Sequence, residues 1–172
     1  AVVDAIEQND IQAAKEALIN HYRHRRTPRW LWAPKTITDL RVNTENLDQP
    51  ALIELAESIL EYRFAPDGSL PKVKQNRIDW RYNPISSKEW LWRLHRHQWW
   101  PVLGLAYKRT GDERYTRAFV QQAGGWIAQN PLTFIKNEKS PAWRLMETGM
   151  RMYISWIPSF AMFMESPCFD DD

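Results

Sequence analysis

Residues 86–111 read SSKEWLWRLHRHQWWPVLGLAYKRTG, and this stretch carries the strongest helix signal in the chain. Ser86 is followed three residues later by Glu89, which is the spacing of an N-terminal capping box. The apolar run continues to Thr110-Gly111, where glycine favours the end of a helix. Pro101 lies inside the run, so we expect it to kink the helix or to remove one of its hydrogen bonds.

Four further segments combine helical spacing of apolar residues with start or stop signals. Asp10, Asp48 and Asp112 are good N-cap residues, and Pro50 follows Asp48 in a first turn, where proline is tolerated. Two irregular, proline-containing stretches, 25–47 and 65–85, separate helical segments. We therefore predict an all-α chain of antiparallel helix pairs. The further helices are predicted at 10–24, 49–64, 112–129 and 141–164, the last broken near Pro158.

Length and composition indicate a single globular domain. The chain has 172 residues, of which 44% are hydrophobic and 26% charged. No apolar run approaches the roughly eighteen residues that a membrane span needs. The N-terminus does not resemble a signal peptide, so we expect that any export signal has already been removed. Cys168 is the single cysteine, which excludes an intrachain disulfide and a cysteine-rich metal site.

Basic and aromatic residues are interleaved along the chain. Net charge is +2, but four acids lie in the last eight residues, so the remainder carries +6. The segments 21–36 and 72–81 are basic, and arginines and histidines alternate with tryptophans between residues 90 and 100. Two interpretations stay open: a tryptophan-rich core with solvated arginines, or a surface whose guanidinium groups bind anions while indoles pack on sugar rings.

Other function classes find little support. His95 and His97, two apart on a predicted helix, would point about 200° apart and could not share a metal ion. Nothing near His21 and His24 completes a ligand set, so we expect no metal and no other cofactor. The chain has no GxSxG motif and no nucleic-acid-binding motif. We therefore expect no nucleic-acid partner and, since no segment could span a bilayer, no membrane partner.

Three ordered segments carry a family resemblance. Residues 78–100 read IDWRYNPISSKEWLWRLHRHQWW; LAYKRTGDERYTRAFVQQAGGWIAQNP and SPAWRLMETGMRMYISW follow in that order. The succession resembles the N-terminal helical domain of the heparinase II/III family, closest to its heparan-sulfate lyase branch, over roughly residues 50–169. The matching features are Asp79-Trp80, Asn83-Pro84, the TGDERY turn, a tryptophan ahead of Asn130-Pro131, and Trp143-Arg144.

This resemblance implies a polysaccharide lyase that cleaves heparan sulfate or a related uronic-acid-containing glycosaminoglycan by β-elimination. It implies a fold in which antiparallel helix pairs form part of an incomplete α/α toroid, with residues 1–172 as its N-terminal portion. The remaining toroid helices and a β-sandwich domain would belong to the longer parent. The family's catalytic Asn, Tyr and His lie downstream of the segment matching 140–153. We therefore expect no catalytic residue in this chain, and no activity from it alone.

In a toroid, several side chains of this segment could face the substrate groove and form one of its walls. Trp143 is a candidate sugar platform, and Glu147 could brace Arg151, its i+4 neighbour. We expect Trp80, Trp126 and Trp156 to pack in the core instead, and Asn83 to shape the turn before Pro84. The predicted substrate-binding residues are Arg93, His97, Trp143, Arg144, Glu147 and Arg151.

Two alternatives belong to other classes: a non-catalytic helical module that binds anionic polysaccharide, and a helical interaction protein whose tryptophans serve only its core. The lyase interpretation implies a bacterial protein that is periplasmic or secreted. Its partners would be a glycosaminoglycan and the remainder of the parent lyase. We also expect an apolar helix face near the C-terminal end to lack a partner and to let the chain self-associate.

Overall fold

The computed structural model describes residues 1–24, 48–63, 78–132 and 140–169, and within these ranges it contains helices and no strand. None of the described helices is long and apolar enough to cross a membrane. The elements are α1 (Val2–Glu7), α2 (Ile11–His24), α3 (Gln49–Leu60), α4 (Lys88–Leu94), α5 (Trp100–Thr110), α6 (Glu113–Gln129), α7 (Leu145–Arg151) and α8 (Ile157–Phe163), with a π-helical turn, Met152–Trp156, joining α7 to α8.

Aspartate caps begin three of these helices as predicted. Asp10, Asp48 and Asp112 each accept a backbone N–H two or three residues later, at 2.9 Å. The predicted starts of α2, α3 and α6 are therefore confirmed. The predicted helix 49–64 ends earlier, at Leu60, and Tyr62 then has a φ of 56°. The sequence analysis did not predict α1.

The segment 86–111 is two helices rather than one kinked helix. The cap is Ser87, whose hydroxyl accepts the Trp90 N–H, whereas Ser86 has a φ of 53° and lies outside the helix. A turn at 95–99 then separates α4 from α5. Pro101 lies in the first turn of α5, where its missing N–H costs no hydrogen bond. Gly111 closes α5 with a φ of 69°.

The contacts of α5 fix the direction of its neighbours. A short turn joins α5 to α6, and Trp100 packs on Phe119 at 5.2 Å between ring centroids, so these two helices form an antiparallel hairpin. The last helix, α8, lies along α5 in parallel: Gly104 meets Met162, and Lys108 pairs with Glu165 at 2.7 Å. The helix α6 therefore opposes α5, whereas the helix formed by α7, the π-helical turn and α8 runs in the direction of α5.

Indole rings fill the core between these helices. Trp80 and Trp126 are buried and Trp156 is partly buried against the same cluster, which confirms their predicted packing role. The Asn83 side chain accepts the Ser87 N–H at 3.0 Å, as expected of a turn residue. The basic segments predicted at 21–36 and 72–81 fall mostly outside the described residues, because 25–36 and 72–77 are not among them.

An apolar strip is exposed on α7, the π-helical turn and α8. Leu145 is 89% exposed, and its neighbours along the strip include Met146, Met150, Tyr153 and Phe160. The expected exposed apolar face near the C-terminal end is therefore present. Self-association through it stays a prediction.

The contact between α5 and α8 predicts that residue 104 must be small. A Cβ atom at Gly104 would lie 2.7 Å from Met162 Cε and 3.1 Å from Met162 Cβ. We expect Gly104→Val to lower the free energy of unfolding by about 1–3 kcal/mol through overpacking. Urea titration followed by circular dichroism measures this.

The control is Gly124, an exposed glycine inside α6, where a Cβ atom would have no neighbouring atom within 4 Å. There, Gly124→Ala should raise the free energy of unfolding by up to about 1 kcal/mol, because alanine has the higher helix propensity. Equal effects of the two substitutions would contradict the close approach of α5 and α8.

Candidate functional site

The turn between α4 and α5 is held by the π-helical turn that packs on it. His97 lies at its centre with a φ of 54°, a conformation that non-glycine residues seldom adopt, and its side chain is fully buried. The buried Ser155 hydroxyl donates to the His97 carbonyl oxygen. The turn therefore depends on a partner 58 residues away in the sequence.

Indole N–H groups set the protonation of both histidines in this turn. Trp126 Nε1 donates to His95 Nδ1 at 3.0 Å, and Trp156 Nε1 donates to His97 Nδ1 at 2.9 Å. Because an indole nitrogen can only donate, each Nδ1 must accept, and the ring proton lies on Nε2. Both imidazoles are therefore neutral in this arrangement.

Burial and nearby charge reinforce the neutral state. Burial, followed by the positive charge of Arg151, lowers the pKa of His95 from 6.5 to about 4, although Glu147 opposes the shift. Burial also holds the pKa of His97 well below its ordinary value, with His95 and Arg151 adding to the effect. The His97 ring stacks on Trp100 with centroids 4.1 Å apart, so aromatic contacts surround it as well.

A buried carboxylate forms ion pairs with arginines beside this turn. Glu147 is fully buried, and its oxygens pair with Arg96 at 2.8 Å and with Arg144 at 2.9 Å. Arg151 is only 2% exposed and donates to the Ala142 carbonyl oxygen and, at 3.1 Å, to the Thr148 hydroxyl. We call Arg96, Arg144, Glu147 and Arg151 the arginine cluster; its formal charge is +2.

Indole faces complete the arginine cluster. The Arg144 guanidinium carbon lies 4.0 Å from the ring centroid of Trp92. The corresponding distances from Arg151 are 4.5 Å to Trp126 and 5.0 Å to Trp143, within the range of cation–π attraction. Burial lowers the pKa of Arg151 to about 10, and Glu147 counters this shift, so Arg151 stays charged at neutral pH.

The structure brings together four of the six predicted site residues: Trp143, Arg144, Glu147 and Arg151. His97 reaches the group through Trp126, whose ring centroid lies 5.3 Å from its own. Arg93 lies to the side on α4, where it pairs with Glu89 at 2.9 Å.

Two details of the sequence analysis are wrong. The carboxylate of Glu147 forms its ion pairs with Arg96 and Arg144 rather than with its i+4 neighbour Arg151. The helical geometry assumed for His95 and His97 does not hold, because residues 95–99 form a turn and both rings contact Trp126.

Sequence reasoning did not assign Arg96 and Trp92 to the site. The sequence shows that they alternate with other basic and aromatic residues. The position of Arg96 beside Glu147, however, depends on a contact between residues that are 51 apart in the sequence. Among the described residues, no group of three His, Cys, Asp or Glu side chains is arranged to hold a metal ion.

Comparison with known proteins gives this geometry a family context. Residues 1–172 match the family described as "Heparinase II/III N-terminus". The heparin-sulfate lyases of Pedobacter heparinus and Bacteroides stercoris are each 31% identical to the chain and cover 96% and 95% of it. The aligned region is 25% and 26% of those relatives, so the chain spans about a quarter of their length.

A crystal structure of a heparan sulfate lyase HepC mutant from Pedobacter heparinus superposes with a TM-score of 0.78 at 30% identity. The match covers 99% of this chain and 26% of that one. The predicted fold class is therefore confirmed: the described residues form helices and no strand, and their antiparallel helix pairs form part of an α/α toroid.

The buried carboxylate predicts a large cost for neutralising Glu147. Glu147→Gln keeps the shape of the side chain but removes the buried anion that pairs with Arg96 and Arg144. We expect the free energy of unfolding to fall by about 3–5 kcal/mol, as for a broken buried ion pair. Chemical denaturation of the purified chain measures the loss.

Glu165→Gln is the matched control, because it removes an exposed carboxylate that pairs with Lys108 on α5 and touches no arginine of the cluster. An exposed ion pair contributes about 1 kcal/mol or less, so the free energy of unfolding of this variant should be close to that of the unsubstituted chain. A small and equal loss in both variants would contradict the role of Glu147 as the central anion.

The two neutral histidines predict instability in mild acid. The folded-state pKa of His95, about 4, is below its ordinary 6.5, so the unfolded chain binds the proton more readily. Stability should therefore be complete above about pH 6.5 and fall as pH drops towards 4. His95 alone contributes a loss of about 2 kcal/mol between pH 7 and pH 5.

Denaturation curves at both pH values measure this loss. In His95→Gln, which has no titrating ring at position 95, the pH dependence should shrink. In the control Gln121→Ala, at an exposed position of α6 that carries no titrating group, it should not change. If the unsubstituted chain had the same free energy of unfolding at pH 7 and pH 5, the assignment of neutral imidazoles would be contradicted.

Proposed function

The chain belongs to the heparinase II/III family, and from this premise we propose that it is the N-terminal part of a polysaccharide lyase. The substrate would be heparan sulfate or a related uronic-acid-containing glycosaminoglycan, cleaved by β-elimination. The structural observation that best supports the proposal is the arginine cluster, in which three guanidinium groups surround one buried carboxylate beside indole rings.

The arginine cluster suits a polyanion that carries carboxylates and sulfates. Arg144 is 36% exposed and stacked on Trp92, so its fork can meet an anion at low cost in side-chain entropy. We assign direct contact with the polymer to Arg93, Trp143 and Arg144. The buried side chains of His97, Glu147 and Arg151 would instead hold these contact groups in place.

β-Elimination needs a base that takes the proton from C5 of the uronate and an acid that protonates O4 as the C4–O4 bond breaks. A donor must also stabilise the charge that develops on the carboxylate. We place these groups in the longer parent, outside residues 1–172, together with the rest of the toroid. On this proposal the chain alone binds substrate without cleaving it, and the parent acts in the periplasm or outside the cell.

A non-catalytic module that binds anionic polysaccharide is the second candidate. One observation favours it: the arginine cluster, with Arg144 partly exposed on the face of Trp92, could bind a polyanion without any catalytic group. Cleavage by the longer protein separates the two candidates.

The decisive assay follows the ultraviolet absorbance of the unsaturated uronate while the longer parent protein is incubated with heparan sulfate, chondroitin sulfate, hyaluronan and alginate. A rise with a sulfated glycosaminoglycan is expected. If no polymer gives a rise but the chain still binds one, the lyase proposal fails and the binding module replaces it.

Binding by the chain itself tests the role of Arg144. We expect Arg144→Ala to weaken heparan sulfate binding about tenfold and to reduce its salt dependence, because one charge-assisted contact is lost. Arg109→Ala, at the far end of α5, removes the same charge and should leave the dissociation constant within about twofold. Equal effects of the two variants in calorimetric titrations would place the binding surface elsewhere.

A further inference from the structure

A pocket of about 380 Å³ opens beside the arginine cluster, within the size range of small-ligand sites. Its lining includes Trp80, Arg81, His95, Asn130, Ser140 and Trp143. Trp143 is common to both sites, since its ring also lies 5.0 Å from the Arg151 guanidinium. The pocket is therefore contiguous with the surface assigned above to the polysaccharide.

A hydrogen-bond donor is available to this pocket from His95. Nδ1 of His95 accepts from Trp126, so the proton of the neutral ring is on Nε2. Nε2 makes no hydrogen bond with the described residues, and it is not among the buried polar atoms that lack a partner. The Nε2 atom is therefore accessible to solvent. Because His95 lines the pocket and only 2% of the residue is exposed, we place this accessible atom at the pocket wall.

An acceptor comes from Asn130 by the same reasoning. Its amide nitrogen donates to the Trp126 carbonyl oxygen at 2.9 Å, and its backbone carbonyl accepts the Trp143 indole N–H at 3.1 Å. The side-chain oxygen Oδ1 makes no hydrogen bond with the described residues and is not a buried atom. Two contacts thus fix the residue while leaving one acceptor accessible.

A cation lies at the rim. Arg81 is exposed, and its guanidinium forms no ion pair with a described residue. An indole edge, one fixed donor, one fixed acceptor and one cation together match a sugar ring that carries hydroxyl groups and a carboxylate. A purely apolar ligand would leave the donor of His95 without a partner in a nearly buried position.

We propose that this pocket is a subsite for a single uronate residue, in which His95 Nε2–H donates to a ring hydroxyl, Asn130 Oδ1 accepts from one, and Arg81 binds the carboxylate. The proposal rests on the proposed function, because it assumes a uronic-acid polymer as ligand. It adds a specific position for one sugar and assigns to His95 a role in recognition as a fixed donor.

The test uses the chain and an unsulfated heparan disaccharide and tetrasaccharide that contain glucuronate. Arg81→Ala should weaken tetrasaccharide binding about tenfold, and Ser140→Trp, which places a large ring at the pocket rim, should abolish the contribution of the pocket. Arg109→Ala, an exposed arginine at the opposite end of α5, should stay within twofold.

Nuclear magnetic resonance of the histidine and indole side chains gives a second readout that does not depend on these variants. Added disaccharide should shift the Nε2–H signal of His95, whereas the indole N–H signals of Trp99 and Trp100, which both donate to Gln122 and do not line the pocket, should move less.

The outcomes separate the two proposals. If heparan sulfate binds and Arg144→Ala weakens it, but Arg81→Ala, Ser140→Trp and the His95 signal show no effect, the subsite is wrong and the proposed function stands. If no oligosaccharide or polymer binds the unsubstituted 172-residue chain, both the subsite and the proposed function are overturned. A His95 ring protonated on Nδ1 would overturn the assigned donor directly.

Discussion

Two hydrogen bonds from indole N–H groups to buried imidazoles organise the centre of this molecule. They connect α6 and the π-helical turn to the turn between α4 and α5, which are distant in sequence. Since an indole can only donate, both rings must be neutral, and so the nearby arginines meet no additional positive charge from His95 and His97. The same two hydrogen bonds therefore hold the turn in place and keep its histidines uncharged.

The arginine cluster depends on that neutrality. Glu147 balances only one of the three arginines it lies near, so the region retains a net positive charge although much of it is buried. Indole faces make this tolerable, because Trp92, Trp126 and Trp143 each lie against a guanidinium group. The same rings thus serve the core on one side and the proposed polysaccharide surface on the other; the core interpretation of the tryptophans is confirmed in part, and the sugar-binding one stays a prediction.

Local signals predicted the local structure well. Aspartate caps located three helix starts, because a cap involves residues two or three apart. The interruption at 95–99 was not predicted: Pro101 suggested a kink at its own position, whereas the proline is tolerated and the left-handed residue is His97. The predicted set Trp143, Arg144, Glu147 and Arg151 does meet, but the partners of Glu147 could not be read from i+4 spacing, since Arg96 comes from the turn after another helix.

The π-helical turn at Met152–Trp156 gives the segment between α7 and α8 room for one change in chain length. Such a turn holds one residue more than an α-helical turn, so it takes up the extra residue while the helices on either side keep their register. Deleting one residue within the turn would therefore restore regular α-helix and leave Glu147 facing Arg96. A deletion between Glu147 and the turn would instead rotate Glu147 by about 100° relative to α8, so that it turned away from Arg96 while Met162 still faced Gly104. Relatives that keep the cluster should therefore lose a residue from this turn more readily than from the helix on either side of it.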